Sequence, residues 1–475
     1  MSADGDSLYT IPRTSTGYVR REAKQAMRGF NKKWLKDMLP DWEVYQLLRE
    51  AFRGGNTHAN RFYAGKILKN VHSVDESSAY PTCQICDKMP MGRWYHWQNI
   101  REDEFIDLVM KHRRAILARV ILINPELRDH SWGCPYLARA KCRNVIAGEY
   151  DNGRILRADY LETTVTDLDM DIIVNEYEFD DIIIQDCYHA RYGSLPTMLT
   201  DLTKKYYTDK TALKGDPDQE IYYMKQKNKL NSIYGMSVQC PTKPDVIFDD
   251  KDGFEYAETP EAEMLEKSNR TAFESYAWGV WITAAARYRL EKGIRIAGTS
   301  FVYCDTDSVK YIGDKSKEFA EYNRKQMKLA EENGAYADDR KGKRHYMGVF
   351  EDDGEYEEFA TLGAKKYAYR QDGKLHITIA GVSKTKGAEE LERAGGLKAF
   401  KPGFIFHEGG GTESIYNDHP EDDGITEYVT KDGEHIPITS NVVIRESTYE
   451  LGLTAEYRRL LEFPEIWLKA TTPFR

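Results

Sequence analysis

Two aspartates one residue apart, Asp305 and Asp307, interrupt the β-favouring run Val302–Tyr311, VYCDTDSVKY. A chain with this pattern must turn the carboxylates out to water or neutralise them. Burying one unpaired ion is costly, and two close together repel. A tight polar turn meets the first condition, since Asp-Thr-Asp-Ser is also turn chemistry. A hard divalent cation meets the second: Mg²⁺ takes one or two protein carboxylates and leaves its other positions to water and substrate phosphates. A second apolar-leaning strand lies in Val71–Pro81, VHSVDESSAYP, and carries Asp75, with Glu76 as an alternative acid. Asp75 could equally cap the helix that follows. Together, Asp75 and Asp305 would supply carboxylates from two strands, as two-metal phosphoryl transfer requires.

Three further segments carry chemistry. In Lys225–Ser237, KQKNKLNSIYGMS, the spacings of four and three put Lys227, Asn231 and Tyr234 on one helix face. A cation, an amide and a ring on one face suit a nucleoside triphosphate, and Gly235 allows close approach of a base pair; a solvated lysine face with a core tyrosine would read the same. Leu362–Arg370, LGAKKYAYR, mixes cations and aromatics, consistent with holding a nucleic-acid strand. Ala51–Thr57, AFRGGNT, sets Arg53 before Gly54 and Gly55, where backbone N–H groups could approach phosphate. Cys83 and Cys86 form a CxxC without a second pair, which reads as buried thiols rather than zinc. Gly409–Gly411 lacks the lysine of a phosphate loop and reads as a turn.

A net charge of −10 and a pI near 5.7 exclude a surface uniformly tuned to polyanions, so nucleic-acid binding would need local clusters. The charge is indeed blocked. Arg13–Lys36 carries eight Lys or Arg against the single acid Glu22. It reads as helical from Arg20, with Val19, Ala23, Ala26, Met27, Phe30 and Trp34 on one stripe. Glu162–Asp186 holds nine acids and no Lys or Arg, read as a solvated or protein-facing surface, and Glu351–Glu358 holds six. No run of eighteen apolar residues suggests a membrane span, and the N-terminus MSADGDSLYT does not read as a signal peptide. Seven irregularly spaced cysteines suit a reducing cytoplasm. At 475 residues the chain is expected to form two to four domains.

Periodicity predicts helices at Asp103–Ala118, Pro217–Tyr234, Ala272–Lys292, Ser316–Glu332 and Thr454–Glu462. Strands are expected at Ser73–Tyr80, Thr299–Tyr311 and Lys374–Gly381, with a hairpin around the DDKDG stretch. The mixture predicts an α+β multidomain protein.

In chain order, DxxSxYP (Asp75–Pro81), KxxxNSxYG (Lys227–Gly235), YxDTDS (Tyr303–Ser308) and KxY (Lys365–Tyr367) resemble the motifs of family B DNA polymerases. The closer resemblance is to the protein-primed polymerases of bacteriophages, whose YxGG motif is similar to Phe52–Gly55 with Phe52 in place of Tyr. The resemblance spans Ala51 to Tyr367 and implies a right-hand fold of palm, fingers and thumb with two insertions. The implied boundaries are 1–90 for the N-terminal junction and first palm segment, 91–200 for a palm extension and first insertion, and 201–238 for the fingers. A hairpin-like second insertion at 239–271, a second palm segment at 272–385 and a thumb and C-terminal region at 386–475 follow.

By the same resemblance, Asp75 and Asp305 hold two Mg²⁺ ions, with Mn²⁺ as a substitute, Glu76 adjoining and Asp307 as a supporting acid. Tyr80 excludes a 2′-hydroxyl, Lys227 and Asn231 serve the triphosphate, and Tyr234 lines the base-pair pocket. Lys214, with Lys210 nearby, is the candidate for a second triphosphate-binding cation. Lys365 and Tyr367 hold the primer end, while Arg53, Gly54 and Gly55 contact DNA. The implied partners are a primer–template, dNTPs, a priming terminal protein and a separate exonuclease polypeptide, in replication of a phage genome. Two departures stand out: Ala79 replaces the family's usual Leu, and only fifty residues precede Ala51, where the family carries a 3′–5′ exonuclease. The expectation is a polymerase part without its own proofreading, located in the cytoplasm of the host cell. A non-catalytic replication scaffold and a metal-dependent nuclease are the rival readings.

Overall fold

The computed structural model describes residues 11–12, 14–128, 133–244, 246–249, 253–256, 258–409, 412–413, 427–429, 435–437, 443–444, 447–453 and 458. The chain divides into two compact units: Met1–Thr57 with Ser73–Gly354, and His58–His72 with Glu355–Arg475. The second unit therefore takes residues from both segments expected to carry palm, His58–His72 from the first and the stretch from Glu355 from the second.

The first unit is organised around the long helix Tyr276–Ala297, whose Trp278 and Trp281 are fully buried. A five-stranded antiparallel sheet runs in the order Tyr95–His96, Asp181–Ala190, Ala115–Ile123, Tyr160–Thr166, Cys142–Ile146. Helices Thr197–Ala212 and Glu220–Gly235 pack on each other, and Lys229 ties the second to Glu22 of the N-terminal helix Ser15–Ala26 at 2.6 Å. Strands Phe301–Asp305 and Ser308–Ile312 form an antiparallel hairpin beside the Ser73–Glu76 end of strand Ile67–Glu76. In the second unit, residues 355–363 continue into the antiparallel strands Lys366–Gln371 and Lys374–Ile379. Helix Lys384–Arg393 packs on the last of these through Leu391, over a core that includes Leu362, Ile377 and Phe406.

The expected helix Asp103–Ala118 is two elements. A helix, Glu102–Lys111, ends at His112 in the left-handed region (φ 44°), and a strand begins at Ala115. That strand lies inside the sheet with nearly every residue buried, so the alternation that marks a strand is absent. The expected strand Ser73–Tyr80 stops at Glu76, and helix Ala79–Cys86 carries Tyr80 and both CxxC cysteines. The N-terminal stripe is also broken: a tight turn at Met27–Gly29 and an Asn31 cap restart the chain as helix Lys32–Met38. Val19, Ala23 and Met27 stay buried, but the changed register leaves Trp34 41% exposed. The DDKDG hairpin forms from Val246–Asp249 and Gly253–Tyr256, with its tip outside the described residues. Gly410 and Gly411 lie outside them as well, as does the expected helix Thr454–Glu462 apart from Arg458.

The acidic stretch Glu162–Asp186 is divided: Glu178, Asp180 and Asp181 are exposed as expected, whereas the acids of its helix are turned inward. Thr166 and Asp169 form a capping box that starts helix Asp167–Glu176, and Asp167, Asp169 and Asp171 are buried against cations. His112 bridges two of them, with Nδ1 at 3.1 Å from Asp167 and Nε2 at 2.7 Å from Asp171. The bonds to Asp167 and then Asp171 outweigh burial and lift His112 from its ordinary 6.5 to about 9. A raised folded-state value means that this stabilisation is complete below pH 6.5 and fades as pH rises towards 9. Thermal unfolding followed across that window should show stability falling with pH, and His112→Gln should flatten the slope. An identical slope in the variant would contradict the assignment.

Candidate active site

The alternation of a strand decides which acid of the Asp75–Glu76 pair faces the site, because neighbouring side chains point to opposite faces. Glu76 is turned inward, almost fully buried, and neither carboxylate oxygen has a hydrogen-bond partner among the described residues. Its nearest cation is Arg289 at 3.6 Å, and burial lifts its carboxyl to about 8. Glu76 is thus turned to the interior and away from the face of Asp75, which departs from the expectation that it adjoins the metal. Asp75 lies on the other face. Burial first, then the charges of Asp307 and Asp353, push it from 3.8 to about 7.

Asp305 ends its strand, Thr306 takes a left-handed conformation (φ 63°) and Asp307 completes the turn. The Asp-Thr-Asp-Ser segment is thus turn and strand end at once. The Glu76 N–H donates to the Asp307 carbonyl at 2.7 Å, which fastens the strand of Asp75 to the turn of Asp305. Lys310, on the returning strand, is buried among these acids; burial lowers its pKa while Asp305, Asp353 and Asp75 oppose the shift. Asp353 accepts a hydrogen bond from Ser73 at 3.4 Å. The motifs do not single out Lys310 or Asp353, although both sit in segments conspicuous for their charge.

The Ala51–Thr57 segment cradles the aspartate turn. Thr57 Oγ1 donates to Asp305 at 3.0 Å, and the Asn56 carbonyl accepts from the Thr306 N–H at 2.8 Å. A Cβ on Gly55 would stand 2.7 Å from the Thr306 side chain, so no larger residue fits. Arg53 departs from expectation. Its guanidinium is buried and donates to the Thr164 carbonyl and to Thr163 Oγ1, both at 2.8 Å, so it is not presented to a phosphate. Beneath it, Arg287 of the long helix donates to the Arg53 and Gly54 carbonyls and pairs with Asp169 at 2.7 Å. Burial would raise Asp169, but Arg287 and Arg53 outweigh it and hold the carboxyl near 2. Nothing in the motifs points to Arg287 or Asp169, which are far apart in sequence.

On the helical side, Tyr80 and Tyr234 stack with ring centroids 4.0 Å apart and planes 17° from parallel. Lys227 and Asn231 are exposed on the same helix, and Lys214 is exposed just beyond helix Thr197–Ala212. Lys210 is the more enclosed of the two candidate cations. Its Nζ lies 3.3 Å from Ser78 Oγ, and burial, with Lys214 and Lys227 nearby, lowers it to about 8. In the second unit, Lys365 is exposed at the hairpin tip with φ 57°, while Tyr367 is buried against Phe359 at 5.6 Å.

Among the described residues no group of three or more His, Cys, Asp or Glu side chains is poised to hold a metal ion. The carboxylates nevertheless fit a hard cation that completes its shell with substrate and water, since Asp75 is destabilised as an anion by its neighbours. Because folded Asp75 keeps its proton to about pH 7, it costs stability progressively as pH rises from 3.8 to about 7. Asp75→Asn should therefore unfold at higher temperature than the parent at pH 8 without divalent cation, and Mg²⁺ should narrow the gap. A lower unfolding temperature would contradict this electrostatic account. Gly55→Ala should cost about 1–3 kcal/mol in urea denaturation, as overpacking does; an unchanged midpoint would show that the Thr306 contact is loose.

Residues 21–326 match the family model of DNA polymerase type B, organellar and viral. The DNA polymerases of Bacillus phages Nf and B103 are each 26% identical to the chain, over 302 and 303 residues, covering 61% of this chain and 46% of theirs. The chain thus spans about half the length of the curated relatives it matches. In fold, it is similar to Phi29 DNA polymerase complexed with primer-template DNA, with a TM-score of 0.62 at 16% identity over 93% of this chain and 68% of that one. The ternary complex of the same polymerase with incoming nucleotide substrates gives the same values. With more than half its length matched by the family model and the polymerase fold running through nearly all of it, the chain belongs to the organellar and viral type B DNA polymerases.

Proposed function

We propose that this chain is a DNA-templated DNA polymerase that extends a primer 3′-hydroxyl with dNTPs. The observation that carries the reading is that the strand of Asp75 and the turn of Asp305 and Asp307 are joined through Glu76 and Asp307, with the charge of Asp307 bearing on Asp75. Asp75 and Asp305 would hold Mg²⁺, or Mn²⁺ in its place, with Asp307 supporting the turn; the bound ions would supply charge stabilisation in an in-line phosphoryl transfer. Lys227 and Lys210 would hold the triphosphate, Lys210 being preferred to Lys214 for its position over Ser78. Asn231 would orient Lys227 from one turn along the helix.

The stacked Tyr80 and Tyr234 would form the floor beneath the sugar and the nascent base pair. Gly54 and Gly55 would leave the backbone open to a template phosphate. Lys365 would hold the primer terminus, with Tyr367 stiffening its hairpin from the core. In these terms the fingers are helices Thr197–Ala212 and Glu220–Gly235, the palm carries the aspartate hairpin, and a terminal protein would serve as primer. The Phi29 structures hold primer-template DNA and incoming nucleotides, which supports the choice of substrates.

Primer extension on a 3′-recessed duplex with Mg²⁺ and four dNTPs tests the reading. Template-length product is expected, with Asp305→Ala slowed by at least about a thousandfold, the equivalent of several kcal/mol of transition-state stabilisation, while still binding DNA. Product from both proteins at equal rates, or from neither on primed DNA and on protein-primed templates, would overturn it. Tyr80→Val should admit ribonucleotides; unchanged sugar selectivity would remove the steric role.

A further inference from the structure

The broken N-terminal helix leaves a cavity that the carboxylate site does not use. Helix Lys32–Met38 forms one wall and carries Trp34, 41% exposed; the short strand Tyr95–His96 presents Tyr95, 53% exposed. Between them lies a space of about 730 Å³. Arg93, Arg114 and Arg191 line it, and Asp37 is the single acid among its lining residues. None of the three arginines has an ion-pair partner among the described residues. Arg93 and Arg191 are exposed and Arg114 is half-buried, so all three are within reach of a ligand from solvent. Lys33 and Lys36, exposed on either side of Trp34 in sequence, extend the positive rim.

We propose that this cavity is a binding groove for a single-stranded polynucleotide, with bases stacked on Trp34 and Tyr95 and phosphates on Arg93, Arg114 and Arg191. Two exposed rings beside unpaired cations are the combination that single strands require: every base offers a face to stack on, and every linkage offers one negative charge. A duplex hides its bases and would leave both rings unused. The groove shares no residue with the carboxylate site, so its occupancy does not depend on catalysis.

The test uses the full chain, a fluorescein-labelled oligothymidylate and fluorescence anisotropy across a salt series. Arg93→Ala with Arg191→Ala should weaken binding and flatten the logarithmic salt slope by about 0.7 for each phosphate left without its cation. Trp34→Ala should weaken binding roughly tenfold with little change of slope, as expected when one base is deprived of its stacking ring. Extension of a short recessed primer should be unaffected in these variants. Photocrosslinking of an iododeoxyuridine oligonucleotide, followed by peptide mapping, should label Trp34 or Tyr95. An oligouridylate arm shows whether the groove accepts RNA as well as DNA, and binding of either strand supports the assignment. Unchanged affinity and slope in folded variants, crosslinks confined to other peptides, or equal displacement by a poly-glutamate of matched charge would overturn it. The last result would identify the groove as a surface for acidic proteins. Because the readout is binding, failure here is distinguishable from failure of the polymerase reading.

Discussion

A buried ion pair, Arg287 with Asp169, supports the loop on which the aspartate turn rests. Arg287 reaches from the long helix to the Arg53 and Gly54 carbonyls, and Asp169 neutralises it from the start of another helix. An arginine buried without that partner would cost several kcal/mol, and the loop would go unsupported. From this loop, Asn56 and Thr57 hold the backbone of Thr306 and the carboxylate of Asp305. The chain from interior charge to candidate chemistry thus runs through hydrogen bonds to the Arg53, Gly54 and Asn56 carbonyls and ends on the side-chain bond from Thr57 to Asp305. Such bonds fix position without demanding a particular side chain at Arg53 or Gly54.

The site itself is under electrostatic tension. Asp75 is raised by burial and by the acids around it, and Lys310 is the buried cation that partly offsets them. Carboxylates arranged this way are poor structural anchors, because each destabilises the next. They are well suited to cations that arrive with the substrate, and perturbed acids of this kind concentrate at functional sites. Lys210, lowered by burial and by Lys214 and Lys227, shows the complementary tension on the helical side. On the proposed reading, an arriving triphosphate would relieve that crowding as a metal ion would relieve the acids.

The motifs made the site legible because they are local: DTDS, DxxSxYP and the lysine helix each place their residues within one turn or one helix. Lys227 and Asn231 are exposed on one helix, while Tyr234, expected on the same face, is half-buried against Tyr80. What was not legible depended on partners distant in sequence. Glu76 and Asp75 are equivalent acids until the strand's faces are known, and Arg53 reads as a phosphate ligand until Asp169 and Thr164 appear around it. Ala115–Ala118, the start of strand Ala115–Ile123, read as the end of a helix because burial on both faces erased the strand's alternation. Trp34 joined an apolar stripe on paper, and Asn31, by restarting the helix, put it outside. In the acidic stretch, composition suggested solvent, whereas His112, Arg287 and Arg295 take its charges into the interior.

Family membership and the fold account for why these elements occur together; the carboxylate pair accounts for what they would do. The most direct measurement of that claim is Mn²⁺ binding followed by electron paramagnetic resonance, with and without a dNTP, on the parent chain, Asp75→Asn and Asp305→Asn. The account predicts Mn²⁺ sites that tighten when the dNTP is added and vanish in either variant while the fold persists. Equal Mn²⁺ binding in all three proteins would contradict it, because the ion would then be held by other groups.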